Sequence, residues 1–480
     1  MFMGVIKTKE FRDVVHGYIS VPAEWCTLFI DTPIFQRLKY VEQTSMRPLY
    51  PCARHDRFAH SLGVYHLAVS AFPRLARNTA PDALGGINLA DYRPAFLAAA
   101  LMHDCAHAPF SHTFEEHYNR HCRAERLLLS LVDEPFRNDF AHWQAQGKAP
   151  AEHEMFSAAI FLKHYSAKFQ SLPGAGDPVL VARMITGCTH SLADDPRQQL
   201  EDCLIHLING PAIDLDKLDY IVRDTASSGV NNVSIDVQRL LSAIEIVRGP
   251  RRLMAAFRKS ALSVLENVLD GRNFLFRWIY SHHTVQYYDQ VLRNAVARLD
   301  EILSPSDKPG AFLDAVFSEE VFTAPVPFGP FRVYLPCDYD ILGALKFYVA
   351  DIPEVRELLG RRPALIPLWK TQAEFEHIFR DASENRRTSV RARVEEILRP
   401  ALGEGARCMV ISVKPKVIEI ENREVFVKLF DEPVAFEDLA KGWRQPTAEK
   451  QNVSFFYVFI PRERADRLRE CVQLLRAAPV

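Results

Sequence analysis

Eight apolar residues in a row, Ala95 to Met102, run directly into an imidazole and a carboxylate, His103-Asp104. The run reads as one buried helix. An ionised carboxylate is costly to bury unless a cation, a metal or hydrogen bonds meet it. Neighbouring residues point about 100° apart on a helix, so the two side chains can converge on one ion only over the helix end. Pro109 opens a turn just beyond. The plainer account is a satisfied core histidine beside a helix-terminal aspartate, and this segment alone does not separate the two.

Two further segments concentrate groups that a core does not favour: Arg54-His55-Asp56-Arg57-Phe58-Ala59-His60-Ser61, and Ile213 to Asp224. On a helix, Asp216, Tyr220, Arg223 and Asp224 share one polar side, while Leu215, Leu218, Ile221 and Val222 cover the other. A solvated charged face is the plain reading, although the density of acceptors with cations between them is unusual. Taken together, His60, His103, Asp104 and Asp216 form an N2O2 donor set. Such a set suits divalent Mn, Fe, Ni or Zn, with Mg not distinguished. Four protein ligands on an octahedral ion leave room for water and a phosphate oxygen.

Charge adds no direction of its own: 58 Lys plus Arg stand against 60 Asp plus Glu. No global field draws the chain to nucleic acid or to an anionic membrane, so a site for a phosphorylated ligand must be a local cationic cluster. Nine scattered cysteines without a CxxC pair read as reduced thiols of a cytoplasmic protein. No apolar run reaches the roughly 18 residues of a spanning helix. The opening MFMGVIKTKEFRD turns charged too early for a signal segment.

The predicted fold class is mainly α, with a small α+β lobe at the C-terminus. Val14–Val21 reads as strand and turn. Pro94–His103, Met155–Tyr165, Arg239–Val247 and Ser260–Leu269 carry apolar residues at helical spacing. Leu303–Pro336, rich in Pro, Ser and Phe, reads as a surface loop before a helix near Tyr339–Ala350. Met409–Val413, Val417–Ile420, Val425–Leu429 and Ser454–Ile460 read as strands, and Arg462–Leu475 as a closing helix. The corresponding division is a core over 1–300, a helical extension over 301–400 and the α+β lobe over 401–480.

The order His60, His103-Asp104, Asp216 resembles the H…HD…D signature of the HD-superfamily phosphohydrolases. Longer motifs narrow it: Arg57-Phe58-Ala59-His60-Ser61-Leu62-Gly63-Val64; His103-Asp104 with His107, Pro109-Phe110-Ser111 and His112; Asp216-Lys217 with Asp219-Tyr220 and Arg223-Asp224; and Asp31-Thr32-Pro33 with Phe35-Gln36-Arg37-Leu38, Tyr40 and Gln43. These are similar to the catalytic core of the SAM-and-HD-domain dNTP triphosphohydrolases and their bacterial relatives. The similarity runs over about residues 11–300 and more weakly beyond, without a SAM domain. A single HD dipeptide is a weak signal, whereas four motifs in order are a strong one.

The resemblance implies an HD-domain helical core, with His60, His103, Asp104 and Asp216 as metal ligands. It implies His112 and His153 near the scissile phosphate, with Glu115 as their acidic partner where many relatives carry Asp, and His107 as a further active-site histidine. Arg57 and Lys217 would contact phosphates, and Tyr220 and Tyr288 the sugar. Gln43 and Asp224 would hold its 3′-hydroxyl. An ion pair of Arg57 with Asp56 or another neighbour is the alternative to its phosphate contact. Thr44 stands where the family has a Leu that helps exclude a 2′-hydroxyl, which loosens the expected choice between deoxy- and ribonucleotides. An arginine for the terminal phosphate falls on Tyr280, with Arg277 one turn away. Asp31 and Gln36 match a guanine-nucleotide activator site, but its arginine is Lys39, and an ammonium cannot make the same fork. A homo-oligomer, dimer or tetramer, is implied in the same way. The expected activity is release of inorganic triphosphate from dNTPs. The alternatives are hydrolysis of a ribonucleotide, dinucleoside polyphosphate or nucleoside monophosphate, or a nucleotide-sensing module without catalysis.

Overall fold

The computed structural model describes residues 7–118, 120, 123–230, 233–414, 425–430, 432–439 and 454–479. The chain is mainly α with a small α+β part towards the C-terminus. It opens on an antiparallel hairpin, β1 (Thr8–Asp13) and β2 (Gly17–Pro22), in register from Thr8 opposite Pro22 to Asp13 opposite Gly17.

Four helices place the residues of interest. Helix α1 (Arg57–Asn78) begins at Asp56, whose carboxylate accepts the Ala59 N–H and satisfies a free donor of the first turn. Helix α2 (Arg93–Met102) is buried from Ala95 to Met102, as its unbroken apolar run requires. Between them in the chain and α4 lies α3 (Glu152–His164), which supplies His153 from its first turn. Helix α4 (Leu215–Ser228) starts at Asp214, which accepts the Lys217 N–H. Helix α1 packs on both α2 and α4, so the start of α1, the end of α2 and the first turn of α4 come together.

Two local readings are corrected. Arg239–Val247 is not one helix: a short helix, Val237–Ser242, gives way to β3 (Ile244–Arg248), which pairs with β4 (Leu253–Arg258). The β-branched run Ile244-Glu245-Ile246-Val247 fits a pleated surface better than a helix. Helix α5 (Leu262–Phe274) follows, running into a π-helical turn over Leu275–Tyr280, and then the long α6 (His283–Leu303). Nor does Leu303–Pro336 loop over the surface. It forms a helix at Ala311–Val316 and a hairpin of β5 (Val326–Phe328) and β6 (Phe331–Val333). Phe312, Phe317, Phe322 and Phe328 are buried in the main core, because that much aromatic area is stabilised only out of water. Helix α7 (Asp338–Phe347) comes next.

Towards the C-terminus, β11 (Phe455–Pro461) is buried throughout and pairs antiparallel with β7 (Leu365–Pro367) on one side and β8 (Met409–Val413) on the other. With Trp369, Phe375 and the closing helix α8 (Leu468–Ala477) it builds a second core. The run Val425–Leu429 leaves that group. Strand β9 (Phe426–Leu429) pairs parallel with β4 and antiparallel with β10 (Glu432–Ala435), in the order β10-β9-β4-β3. The strand expected at Val417–Ile420 lies outside the described residues. Among the described residues, no helix is long and apolar enough to cross a membrane.

At Gly63, α1 leaves no room for a side chain against α4. A Cβ there would lie 2.0 Å from Asp219 Oδ1 and 2.4 Å from Arg223 Nη2, both on fully buried side chains. Gly63→Ala is therefore expected to cost at least about 1–3 kcal/mol, the range for an overpacked core. Chemical denaturation measures it, and an unchanged unfolding midpoint would show that the two helices do not pack this closely.

Candidate functional site

Four side chains converge where α1, α2 and α4 meet. His60 Nε2 lies 2.9 Å from Asp216 Oδ1 and 3.7 Å from Asp104 Oδ2, and 3.2 Å from His103 Nε2. His103 Nε2 is 3.5 Å from Asp104 Oδ2 and 3.7 Å from Asp216 Oδ1. His103 and Asp104 thus meet beyond the end of α2. Both rings are set from behind: His60 Nδ1 is 2.7 Å from Asp219 Oδ2, and His103 Nδ1 is 3.0 Å from the Ala100 carbonyl. An acceptor at Nδ1 draws the hydrogen there and leaves Nε2 as a lone pair. His60, His103 and Asp104 offer donor atoms within 4.8 Å of one another, a set that can hold a divalent ion, and Asp216 reaches both histidines from α4.

The charges fit that reading. Burial disfavours a charged His60, but Asp216 and Asp219 outweigh it and raise the imidazole to about 9. A metal ion would take the place of that proton. Burial also opposes ionised Asp104 and Asp219. It is overcome by Arg57 and the surrounding histidines for Asp104, and by Arg223 for Asp219, so both stay well below the usual carboxylate range.

Arg57 is already committed. Its Nη1 donates to Asp104 Oδ2 at 2.6 Å, Nε to Ser111 Oγ at 2.9 Å and Nη2 to the Gln43 carbonyl at 3.4 Å. The structure builds the ion pair, with Asp104 as the partner of Arg57, while Asp56 caps α1. Lys217 pairs with Asp214 and donates to the Gly210 carbonyl at 2.7 Å. The Tyr220 hydroxyl accepts from Arg272 Nε at 3.1 Å. Asp224 is held by His55 Nε2 at 2.6 Å and by the Tyr280 hydroxyl. The Gln43 N–H donates to the His55 carbonyl at 3.2 Å, so Gln43 and Asp224 are joined through His55. Gln43 Oε1 and Thr44 Oγ1 are buried without a partner among the described residues.

Tyr288 is not brought to this group. It is buried in the second core, edge-on to Tyr287 and beside Pro363, Leu365 and Ile366. Helix α6 turns the next residue, Asp289, towards the loop of His112, where it accepts from Thr113 Oγ1 at 2.6 Å. One step on a helix rotates a side chain by about 100°, and the aromatic face of α6 is claimed by the C-terminal core. Arg277 lies over Trp278 and lines a cavity with His282, His283 and Lys370. The residues matched to an activator site do lie together: Lys39 Nζ donates to Gln36 Oε1 at 2.6 Å, Gln36 Nε2 to the Ile30 carbonyl at 2.8 Å, and Asp31 pairs with Lys9 at 2.6 Å.

A second group of imidazoles follows the first, with the His107 N–H donating to the Asp104 carbonyl at 3.0 Å. Ring nitrogens of His107, His112 and His153 lie within 4.8 Å of one another. Glu115 spans two of the rings, Oε2 at 2.7 Å from His112 Nδ1 and Oε1 at 2.5 Å from His153 Nδ1. The longer side chain, Glu in place of Asp, reaches both. Burial disfavours charge on His153, but Glu115 outweighs it and holds the ring up at about 9. His107 is pushed well below the ordinary histidine value by burial and then by Arg57.

Sequence reasoning missed the residues behind these groups. Asp219, besides fixing His60, meets His16 Nε2 at 2.6 Å and Arg223 Nε at 2.8 Å, and Arg223 Nη1 reaches Asp13 at 2.7 Å. The three-residue spacing from Asp216 to Asp219 puts both on one side of α4, so a signal was present. Asp338 carries none. Its Oδ2 accepts the Glu42 N–H at 2.8 Å and its Oδ1 the Phe110 N–H at 2.7 Å, tying the loop of Gln43 to the loop of Ser111 and His112. Phe110 and Ser111 both have positive φ, 57° and 51°, an uncommon backbone for side chains of any size.

The chain resembles the HD-type phosphohydrolases in the order, spacing and convergence of these residues. No protein-family model matches it. It is 28% identical over 307 residues to the deoxynucleoside triphosphate triphosphohydrolase SAMHD1 homolog of Dictyostelium discoideum, covering 63% of this chain and 51% of that protein. It is 29% identical over 375 residues to the deoxynucleoside triphosphate triphosphohydrolase SAMHD1 of Gallus gallus, covering 76% of this chain and 57% of that one. The chain therefore spans about half the length of these curated relatives. A crystal structure of a phosphohydrolase from Bacteroides thetaiotaomicron matches with a TM-score of 0.60 at 19% identity, over 95% of this chain and 100% of that one. A hypothetical protein from Aquifex aeolicus matches with a TM-score of 0.63, also at 19%, over 97% and 100%. These two share the fold.

Two outcomes follow from the geometry. The His153 imidazole should titrate near 9 rather than 6.5. The stability of its pair with Glu115 is then full below about 6.5 and lost as pH rises through about 9. NMR titration of Glu115→Gln should drop the midpoint below 6.5, since burial then prevails, and an unmoved midpoint would remove Glu115 as the cause. Asp338→Ala leaves two interior N–H groups unpaired, each costing about 1–3 kcal/mol. Urea unfolding should register that loss, and wild-type stability would mean that Asp338 does not hold the two loops.

Proposed function

We propose that the protein is a divalent-metal-dependent phosphohydrolase acting on deoxynucleoside triphosphates, with release of deoxynucleoside and inorganic triphosphate. The observation that carries this reading is one donor group, His60, His103, Asp104 and Asp216, beside three histidines, two of which Glu115 orients. An ion at the first group would supply Lewis acidity and neutralise phosphate charge. His153, kept protonated by Glu115, and His107, kept neutral by burial, set a proton donor beside an acceptor, with His112 on the other Glu115 oxygen. Lys217 serves the phosphates as a point charge, while Arg57 orients Asp104. Buried polar atoms rarely lack a partner, so Gln43 Oε1 and Thr44 Oγ1, beside the His55–Asp224 pair, suit the hydroxyls of a sugar, with Tyr220 near its ring. Relatives named as deoxynucleoside triphosphate triphosphohydrolases support the substrate class, and by the same resemblance the enzyme works as a homo-oligomer.

Thr44 favours a second reading beside the first, in which ribonucleotides are also accepted. A small polar wall in place of Leu discriminates weakly, so the deoxy preference is on the order of 10–100-fold in kcat/KM.

A metal-supplemented panel of dNTPs and NTPs, with chromatography of the products, tests the proposal. Inorganic triphosphate plus nucleoside is expected. Asp104→Ala should lose bound metal and lower hydrolysis by more than about 100-fold, beyond the typical effect of a residue behind the ligands. Products that stop at a nucleotide, or normal turnover in Asp104→Ala, would overturn it.

A further inference from the structure

We infer that His107, His112 and His153 form a second cation site, separate from the His60–Asp216 group and selective for a borderline ion such as Zn2+ or Co2+. Three observations carry it. One nitrogen from each ring lies within 4.8 Å of those from the other two. Tetrahedral imidazole ligands lie about 3.3 Å apart when each bond is roughly 2.0–2.1 Å, so a modest inward rotation closes the set. The His112 side chain, 63% exposed, is free to make it.

The second observation is the arrangement behind the rings. Glu115 is an acceptor at Nδ1 of both His112 and His153. It therefore fixes the Nδ1 hydrogen of each ring and turns Nε2 to an ion, which on His153 would take the place of the second proton. A carboxylate behind a histidine in this way orients the ring and raises its basicity as a metal ligand. One carboxylate doing so for two neighbouring rings presents two donors at once.

The third is His107. Its side chain has no exposure, and neither ring nitrogen has a partner among the described residues. A buried imidazole with two unmet nitrogens is costly on its own. Its ring stacks on His153 at 4.5 Å and meets His112 edge-on at 5.1 Å, which makes it the third member of the same set. Arg57 lies near enough to disfavour positive charge here, but its guanidinium is taken up by Asp104.

A donor set of three imidazoles differs from the mixed nitrogen and oxygen set next to it. Imidazole suits Zn2+, Co2+ and Ni2+, whereas Mg2+ and Mn2+ prefer oxygen. The two sites should therefore fill with different selectivity. The inference bears on the proposed hydrolysis in one respect: an ion on these rings occupies the lone pairs that proton transfer needs, so excess Zn2+ should inhibit.

Equilibrium dialysis and Co2+ absorption on the 480-residue chain test the site without reference to activity. The metal-stripped wild type should bind two Co2+ per chain, and Asp216→Ala, which leaves the Arg57–Asp104 pair in place, should retain one with an imidazole-rich spectrum. Asp216→Ala/His107→Ala should bind none. Because a buried substitution can perturb folding, Asp216→Ala/His112→Ala provides a second measure at an exposed position, with Co2+ affinity expected to fall more than about 10-fold. Mg2+ should not compete for the ion retained by Asp216→Ala. One Co2+ in the wild type, none in Asp216→Ala, or unchanged affinity when His112 is removed would overturn the site. The stoichiometry stands or falls independently of whether dNTPs are hydrolysed.

Discussion

Asp219 has no exposure, and its two oxygens face three partners: Arg223, which is equally buried, His16, and the Nδ1 edge of His60. Such a group is expensive to place in the interior. Removing one member of a buried ion pair typically costs about 3–5 kcal/mol, yet replacing the whole pair by apolar groups is often neutral or stabilising. Stability alone therefore does not account for the network. Direction does: Arg223, anchored to Asp13 of the N-terminal hairpin, holds Asp219 where it can orient the ring of His60, and the absence of a side chain at Gly63 lets α4 come that close.

The rest of the site is held from outside the segment that carries the motifs. Arg37 donates to the carbonyls of His107 and Pro336, and Asp338 accepts from Glu42 and Phe110. The extension containing Pro336 and Asp338 thereby pins both loops of the site, including the positive-φ residues Phe110 and Ser111. Strand β9 returns from the C-terminal region to the edge of β4, and the Tyr457 hydroxyl of β11 donates to the Ser281 carbonyl at 3.0 Å. The parts of the chain beyond residue 300 are consequently not decoration on an independent core. They help hold the residues of the site in place.

Two carboxylates, Glu115 and Asp104, show how charge is set within the site. Glu115 sits between two imidazoles and holds His153 charged, whereas burial and Arg57 keep His107 neutral a ring's breadth away. The difference comes from which ring a carboxylate touches, not from the rings themselves. Asp104, by contrast, is held ionised by Arg57 and by the histidines around it. Both arrangements depend on residues brought together from separate elements.

Some of this was legible locally. An apolar run as long as Ala95–Met102 can only be buried, so the place where it meets His103-Asp104 had to be a compensated interior site. The periodicity of Leu215–Ser228 put Asp216, Tyr220 and Asp224 on one polar side, although that side turned out to be interior: Arg223 and Asp224 are buried. Elsewhere local pattern misled. The prolines of Leu303–Pro336 suggested surface, while its phenylalanines required a core. Tyr287 and Tyr288 are both apolar enough to face either way, and only the C-terminal core decides that Tyr288 faces it. What the sequence by itself determined is which residues must find partners in the interior, because the cost of burying charge is a property of the side chain. Which partners they find, Asp104 for Arg57, Asp219 for His60, the Glu42 and Phe110 amides for Asp338, was decided only by the tertiary structure, because hydrogen bonds and ion pairs act over a few ångström between segments that the chain holds far apart.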